Sequence, residues 1–339
     1  MRVLGIETSC DDTAAAVVED RRVVSSVVAS QDAIHAAYGG IVPELAARRH
    51  LETVSEVISR ALSDATVAAN DLDAIAVTCG PGLVGSLLVG ISAACGLGLR
   101  TGVPVHGVNH LEGHVLSPLL DDASAGFESP FVSMVVSGGH SAVYLVEAAG
   151  CYTELGSTRD DSAGEAFDKA AKMLGLGYPG GRKIDELAKQ GDANAVRFPR
   201  ARVRGDRMAM SFSGLKTSLW DRLGKQQEGP QELSTADLCA SFQEAIVDQL
   251  LDRALEACRM TGTSRLAVSG GVSANSRLRC RVTSEAEGLG IEALFPPMSL
   301  CTDNAAMIAF AAAEAIAGGR PGQALRARSR LPLGVRAAQ

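Results

Sequence analysis

One pattern runs through this chain twice, and few folds accommodate it. Residues 3–7 read as a buried strand, 8–13 as a polar turn, and 14–18 and 22–29 as two further strands joined by a turn at 19–21. A helix follows, with Leu51, Val54, Val57, Ile58, Ala61 and Leu62 on one face at helical spacing. A strand at 73–78 ends in Gly80-Pro81-Gly82, and a helix rich in glycine, alanine and leucine runs on to Gly98. The same order then returns. Strand 131–136, polar turn Ser137-Gly138-Gly139-His140, strand 141–146, turn 148–150 and strand 151–156 are followed, much later, by strand 265–268 ending in Ser269-Gly270-Gly271. The longer spacing of the second copy marks an insertion at about residues 160–230. The duplication predicts an α/β protein of two similar lobes with a cleft between them. Residues 1–108 plus 304–339 would form the first lobe and 109–303 the second. A chain of 339 residues with 36 glycines and few aromatics suits two such lobes with tight turns.

The polar turns at the strand ends suit phosphate. Successive backbone N–H groups in glycine-rich turns form anion-binding concavities. Hydroxyls of Thr8, Ser9 and Ser137 add donors, and a helix starting after Gly82 or Gly271 adds the positive end of its dipole. A single Gly-Gly is usually only a turn, but several at corresponding strand ends of a duplicated chain point to a nucleotide. Neither the P-loop nor the Gly-x-Gly-x-x-Gly fingerprint follows the first strand. In the insertion, residues 160–169 open a helix through Leu174, and Gly175 to Gly181 make a backbone-exposing loop. Asp168 and Asp185 flank that loop; ribose hydroxyls and plain helix capping account for them equally well on spacing alone.

His110-Leu111-Glu112-Gly113-His114 carries different chemistry. Two histidines four apart on a helix project from one face, so both imidazoles reach one ion, and a ring nitrogen is a good ligand for zinc or iron. Two packed or solvated histidines are the plain alternative. A third ligand has to come from elsewhere, and Asp303 in Cys301-Thr302-Asp303-Asn304 is the candidate, although it also sits where a helix N-cap would.

The net charge of −7 argues against bulk affinity for nucleic acid but leaves room for local basic patches. Arg197, Arg200, Arg202, Arg204 and Arg207 with Lys216 form the densest one; Arg326, Arg328 and Arg330 form a second, and Arg48 and Arg49 a third. Solvated loops and RNA backbone contacts both fit them. The eight cysteines are scattered with no Cys-x-x-Cys pair, so neither a zinc ribbon nor a redox dithiol is indicated, and a reduced cytoplasm is the natural compartment. No signal peptide and no apolar run of membrane-spanning length is expected, so the protein is read as cytoplasmic with no membrane partner.

Taken together, several motifs resemble the universal tRNA threonylcarbamoyladenosine transferase family. They are Glu7-Thr8-Ser9-Cys10-Asp11, Tyr38-Gly39-Gly40-Ile41-Val42-Pro43-Glu44-Leu45-Ala46, the His110 to His114 motif and Val136-Ser137-Gly138-Gly139-His140. Further along come Ser211-Phe212-Ser213-Gly214-Leu215-Lys216-Thr217, Ser269-Gly270-Gly271-Val272-Ser273-Ala274-Asn275 and Cys301-Thr302-Asp303-Asn304. The resemblance extends to about residue 330. It implies the duplicated actin-like fold shared with sugar kinases and Hsp70 (the ASKHA ATPase class), and one divalent ion per chain, Fe2+ or Zn2+, on His110, His114 and Asp303. It implies contacts to an adenine nucleotide or to threonylcarbamoyl-AMP from Val135, Val136, Ser137, Gly138, Gly139, Asp168, Gly181, Asp185 and Asn275. Asp12 departs from the family pattern, which has Glu there, and is given no catalytic role.

The implied reaction moves a threonylcarbamoyl group from its adenylate to N6 of adenosine 37, in the anticodon loop of tRNAs reading codons that begin with A. A weak exocyclic amine gains from a nearby base, and Asp11, in the first polar turn, is the candidate. A turn residue bonding its own backbone is the plain alternative. Bacterial relatives work with a non-catalytic paralogue of TsaB type and a small ATPase of TsaE type, mitochondrial ones as homodimers. Two other functions compete. A metal-dependent endopeptidase would need a base beside the first histidine, but Glu112 lies about 200° around the helix from His110. An ATPase or kinase on the same fold needs no His-His-Asp set.

Overall fold

A computed structural model describes residues 1–120, 124–226 and 233–337. Strands β1 (Arg2–Glu7), β2 (Thr13–Glu19) and β3 (Arg22–Ala29) lead into α1 (Asp32–Ala36) and α2 (Pro43–Asp64). Then come β4 (Ala74–Gly80), α3 (Val84–Thr101), β5 (Val105–Asn109) and α4 (His110–Leu116). The second run is β6 (Phe131–Val136), β7 (Ser141–Ala148), β8 (Cys151–Ser157), α5 (Ala163–Met173), α6 (Gly181–Ala188), α7 (Ser213–Gln226) and α8 (Thr235–Thr261). It continues through β9 (Arg265–Ser269), α9 (Ser276–Gly288) and β10 (Glu292–Leu294), and the chain closes with α10 (Ala305–Ala317) and β11 (Val335–Arg336).

The repeat is written in the sheets. The first has the order β3-β2-β1-β4-β5 and the second β10-β9-β6-β7-β8-β11. In the first, β1 runs antiparallel to β2, from Arg2↔Glu19 to Glu7↔Ala14, and parallel to β4, from Val3↔Ala74 to Ile6↔Val77. In the second, β6 does the same with β7, from Phe131↔Val146 to Val136↔Ser141, and with β9, from Val132↔Leu266 to Val135↔Ser269. A central strand with helices on both faces reads as a continuous apolar run. That is the state of β1, where Leu4 and Ile6 pack with α2 and α3 while α10 lies on its other face. In the second sheet, Val132, Met134 and Val136 join Phe167, Phe198, Phe212 and Phe242 in one core with α5 and α8.

Two compact units result: Met1–Phe127, Glu147–Tyr152 and Pro296–Val335 form the first, and Glu128–Val146, Thr153–Phe295 and Arg336–Gln339 the second. By this division residues 109–120, 124–127 and 296–303 group with the first unit, whereas the repeat reading places 109–303 in the second lobe. The physical reason is α4, which lies against α10 instead of opening a new layer. The insertion at 160–230 holds α5, α6 and α7. One expectation needs correcting. With 18 residues and a mean hydropathy of 1.4, α3 is long and apolar enough to cross a membrane by length and composition. Here it packs on α2 and β4, burying Leu87, Ile91 and Ala94.

Candidate functional site

The metal candidates are brought together. Asn109 ends β5 and caps α4, its side chain accepting from Leu111 N at 2.9 Å and donating to Leu331 O at 3.2 Å. This starts the helix directly at His110. His110 and His114 then meet edge to face one turn apart, ring centroids 4.7 Å from each other, and both are buried. Asp303 arrives from the loop before α10. The N-cap of that helix is Asn304, which accepts from Met307 N at 3.0 Å, so capping falls one residue later than expected and the Asp303 carboxylate turns to the histidines. Asp303 Oδ1 lies 3.1 Å from His114 Nε2 and 3.6 Å from His110 Nε2. One donor atom from each of the three residues fits within 4.8 Å of the others.

A further residue, not foreseen as functional, orients this set. Glu7, buried at the end of β1, lies with Oε2 3.0 Å from His110 Nδ1, and Ser9 Oγ is 3.2 Å from the same nitrogen. Thr78 Oγ1 donates to Glu7 at 2.6 Å, and the backbone N–H of Ser9 donates to its other oxygen. A carboxylate only accepts, so Nδ1–H points to Glu7 and Nε2 is left for Asp303 or an ion. The one signal in the sequence was a carboxylate inside an otherwise apolar strand.

The electrostatics follow from this enclosure. Burial works to lower His110, but the Asp303 and Glu7 carboxylates overcome it and hold the imidazole at about 9. Burial works to raise Glu7, and His110 more than offsets it, so the carboxyl sits below its ordinary range. Asp11, in the loop between β1 and β2, is raised by burial and by Asp303. Its neighbour Asp12 is raised to about 7 by burial and by Asp11, and its Oδ1 is buried without a hydrogen-bond partner among the described residues. Glu112, which the sequence already sets on the wrong side of the helix to be a protease's base, faces away from the histidines: its Oε1 accepts from Tyr152 Oη and Arg320 Nη1.

The nucleotide candidates gather on the second unit. Pairing of Val135 with Ser269 sets the turns after β6 and β9 side by side at the C-terminal ends of parallel strands, where open α/β sheets bind ligands. Val135 and Val136 are fully buried, so they shape the turn from below. Ser137 N donates to His140 O at 2.7 Å, and the backbones of Gly138 and Gly139 are exposed. Helix α5 starts at this turn: Ser162 caps it, accepting from Glu165 N at 3.0 Å, and donates to Gly138 O at 2.5 Å. Gly164 permits the approach, since a Cβ there would lie 2.6 Å from Ser137 O.

The acidic candidates already hold protein groups. Asp168 Oδ1 accepts from Gly180 N at 2.7 Å, immediately before Gly181, the first residue of α6. Asp185 accepts from Ser276 Oγ at 2.8 Å and Ser276 N at 3.2 Å. Asn275 caps α9 through Leu278 N at 2.9 Å and donates to Gln243 Oε1 at 2.7 Å. Asp168 with Gly181 thus forms one neighbourhood, and Asp185 with Asn275 another.

Comparison with solved structures defines the class first. The chain is similar to full-length HypF in a phosphate- and nucleotide-bound form, with a TM-score of 0.60 and 13% identity over 93% of this chain and 46% of that one. It is also similar to the activator of the 2-hydroxyisocaproyl-CoA dehydratase from Clostridium difficile with bound ADPNP, with a TM-score of 0.54 and 14% identity over 94% of this chain and 97% of that one. At such identity the likeness is one of fold, and the fold is the duplicated actin-like one. The family model of tRNA N6-adenosine threonylcarbamoyltransferase matches residues 22–310. Proteins of that name from Anaeromyxobacter dehalogenans and Clostridium perfringens are 54% and 48% identical to this chain. The first match covers 94% of this chain and 95% of the relative, the second 98% of each. The chain belongs to the tRNA N6-adenosine threonylcarbamoyltransferase family.

Proposed function

We propose that this protein transfers the threonylcarbamoyl group of L-threonylcarbamoyladenylate to N6 of adenosine 37 in tRNAs reading codons that begin with A, releasing AMP. Besides family membership, one observation carries the reading. It is the convergence of His110, His114 and Asp303, 193 residues apart at the extremes (303 − 110), with Glu7 fixing the first imidazole. Two imidazoles and a carboxylate fit Fe2+ or Zn2+. Bound there, such an ion supplies Lewis acidity and open positions for carboxylate, hydroxyl or carbonyl oxygens.

The chain's own groups do the rest. Exposed N–H groups of Gly138 and Gly139 and the N-terminus of α5 grip the phosphate. Asp168, Gly181, Asp185 and Asn275 line the nucleoside side through the segments they tie down. Asp11, its carboxyl raised by burial and by Asp303, takes the proton from the exocyclic amine. The RNA backbone is met by Arg197, Arg202 and Arg204, which are exposed and have no ion pair among the described residues. Arg200 and Arg207 are partly committed to Asp248 and Glu256. The apolar outer side of α3, with Val84, Leu88 and Leu99 exposed, suits a helical partner: the non-catalytic paralogue in a cytoplasmic bacterial assembly, or a second copy.

The test is mass analysis of tRNA nucleosides from cells depleted of the protein. Loss of threonylcarbamoyl-adenosine, restored by the intact gene but not by His110→Ala, is expected. Unchanged nucleoside levels after full depletion would defeat the reading.

A further inference from the structure

The helix that carries both histidines is also held from its far side. We propose that Glu112, Tyr152 and Arg320 are positioning residues that set the rotation of α4, and thereby the angle at which His110 and His114 meet a metal ion. The proposal rests on the metal reading above and concerns residues that touch neither ion nor substrate.

Helix geometry places Glu112 about 200° from His110 and from His114, so its carboxyl leaves the opposite side of α4. There Oε1 accepts from Tyr152 Oη at 2.9 Å and from Arg320 Nη1 at 3.0 Å. Glu112 is 7% exposed and Tyr152 5%. A carboxyl so enclosed is costly unless paired, and this one is paired twice on one oxygen. Burial and the neighbouring Glu112 both push the Tyr152 phenol up, so its hydroxyl stays a donor.

Arg320 links this brace to the rest of the centre. Its backbone N–H bonds Ala315 O at 2.8 Å, which locks it to the end of α10. Asp303 precedes the start of that same helix. Both faces of α4 are therefore referred to one helix: the histidines to Asp303 at one end, Glu112 to Arg320 at the other. The turn at Gly150 comes close to the Arg320 side chain. Gly150 has φ +88°, and a Cβ there would fall 2.4 Å from Arg320 Nη1, so only glycine leaves the arginine in place. Behind the brace, His106, Glu112, Arg320 and Gln323 border a cavity of about 30 Å3, enough for ordered water beside the buried Arg320 Nε and Nη2.

The leverage is large because the helix is short. Side chains reach about 5–6 Å from a helix axis, so a ~10° turn of α4 displaces a ring nitrogen by about 1 Å. Metal–ligand distances tolerate roughly 0.2 Å.

Cobalt(II) is the probe. The metal-free full chain is titrated with Co2+ while its visible d–d bands are recorded, for the parent and for Tyr152→Phe, Glu112→Ala and His110→Ala. Circular dichroism and Tm report folding. The parent is expected to develop bands that His110→Ala abolishes. Glu112→Ala should bind Co2+ about tenfold more weakly and Tyr152→Phe about threefold, at or below the low end for outer-shell partners, with band positions shifted in both. Tyr152→Phe removes a single hydroxyl and decides the matter alone if Glu112→Ala fails to fold. Parental affinity and bands in Tyr152→Phe, with only Tm lowered, would overturn the brace and leave the metal centre standing. Absence of bands in the parent would overturn both.

Discussion

The first unit closes its chemistry in and the second leaves it open. Glu7, His110 and His114 are buried, each polar contact drawing on a different stretch of chain: the end of β1, the start of α4, the loop before α10. The Ser137–Gly139 turn presents exposed backbone, and its supports, Ser162 and the start of α5, come from within about 30 residues. A cation site needs several dehydrated donors held to a few tenths of an ångström, which only a packed core provides. A phosphate site needs N–H groups that stay accessible, which a glycine turn at a helix N-terminus provides at once. On the proposed reading, the first copy supplies the cation site and the second the phosphate site.

The contrast can be broken most sharply from the buried side. His110→Ala should strip the ion and lower turnover by on the order of 10³-fold or more, since an ion of this kind is worth several kcal/mol at a reacting carbonyl. Nucleotide affinity, measured separately, should stay within about twofold, because the donors proposed for it, Gly138, Gly139 and the start of α5, belong to the other unit. A parallel loss of nucleotide binding would mean the two regions are not separable. Asp11→Ala should cut turnover by about 10²- to 10⁴-fold, the span for a positioned base, with metal content unchanged. Near-normal turnover would remove Asp11 from the mechanism. Glu7→Gln keeps the shape but loses the charge that holds His110, and metal affinity should fall about 10- to 100-fold by direct titration.

These effects also mark what could be read in the chain beforehand. The repeat was legible because strand–turn–strand patterning is local, and so was the pair His110 and His114, whose spacing is a single helical turn. Glu7 was not, since its role depends on the end of β1 meeting α4 across 103 residues of sequence, which no spacing reveals. Asp303 does lie beside the two histidines, but its competition with Asn304 for the helix cap turns on one residue of register, below what composition resolves. Asp168 and Asp185 show the opposite limit. Ribose contact and capping call for the same acceptor at the same place, and the structure has both carboxylates bonded to Gly180 and Ser276.

The open side is held by smaller forces, and two changes sharpen that difference. Asp160 accepts from the hydroxyls of Ser211 and Ser213 and from the backbone N–H of Phe212 and Ser213, pinning the start of α7. Burial works to raise Asp160, but these bonds more than offset it and its carboxyl is depressed. A depressed carboxyl stabilises fully above its unfolded pKa of about 3.9 and loses that contribution as pH falls through the folded value. Asp160 is exposed, so solvent screens these contacts; Asp160→Asn should cost about 1 kcal/mol at neutral pH and flatten the acid limb of the stability curve below pH ~4, read by denaturant unfolding at several pH values. Ser162→Ala is the smallest and most local change. It removes the cap of α5 and the bond to Gly138 O, at about 1 kcal/mol of stability. Its informative readout is nucleotide affinity, expected to drop several-fold while Co2+ affinity at His110 and His114 does not move. If the cap matters only for folding, affinity at a temperature well below Tm will match the parent, and the Gly138 turn is then preorganised by the sheet alone.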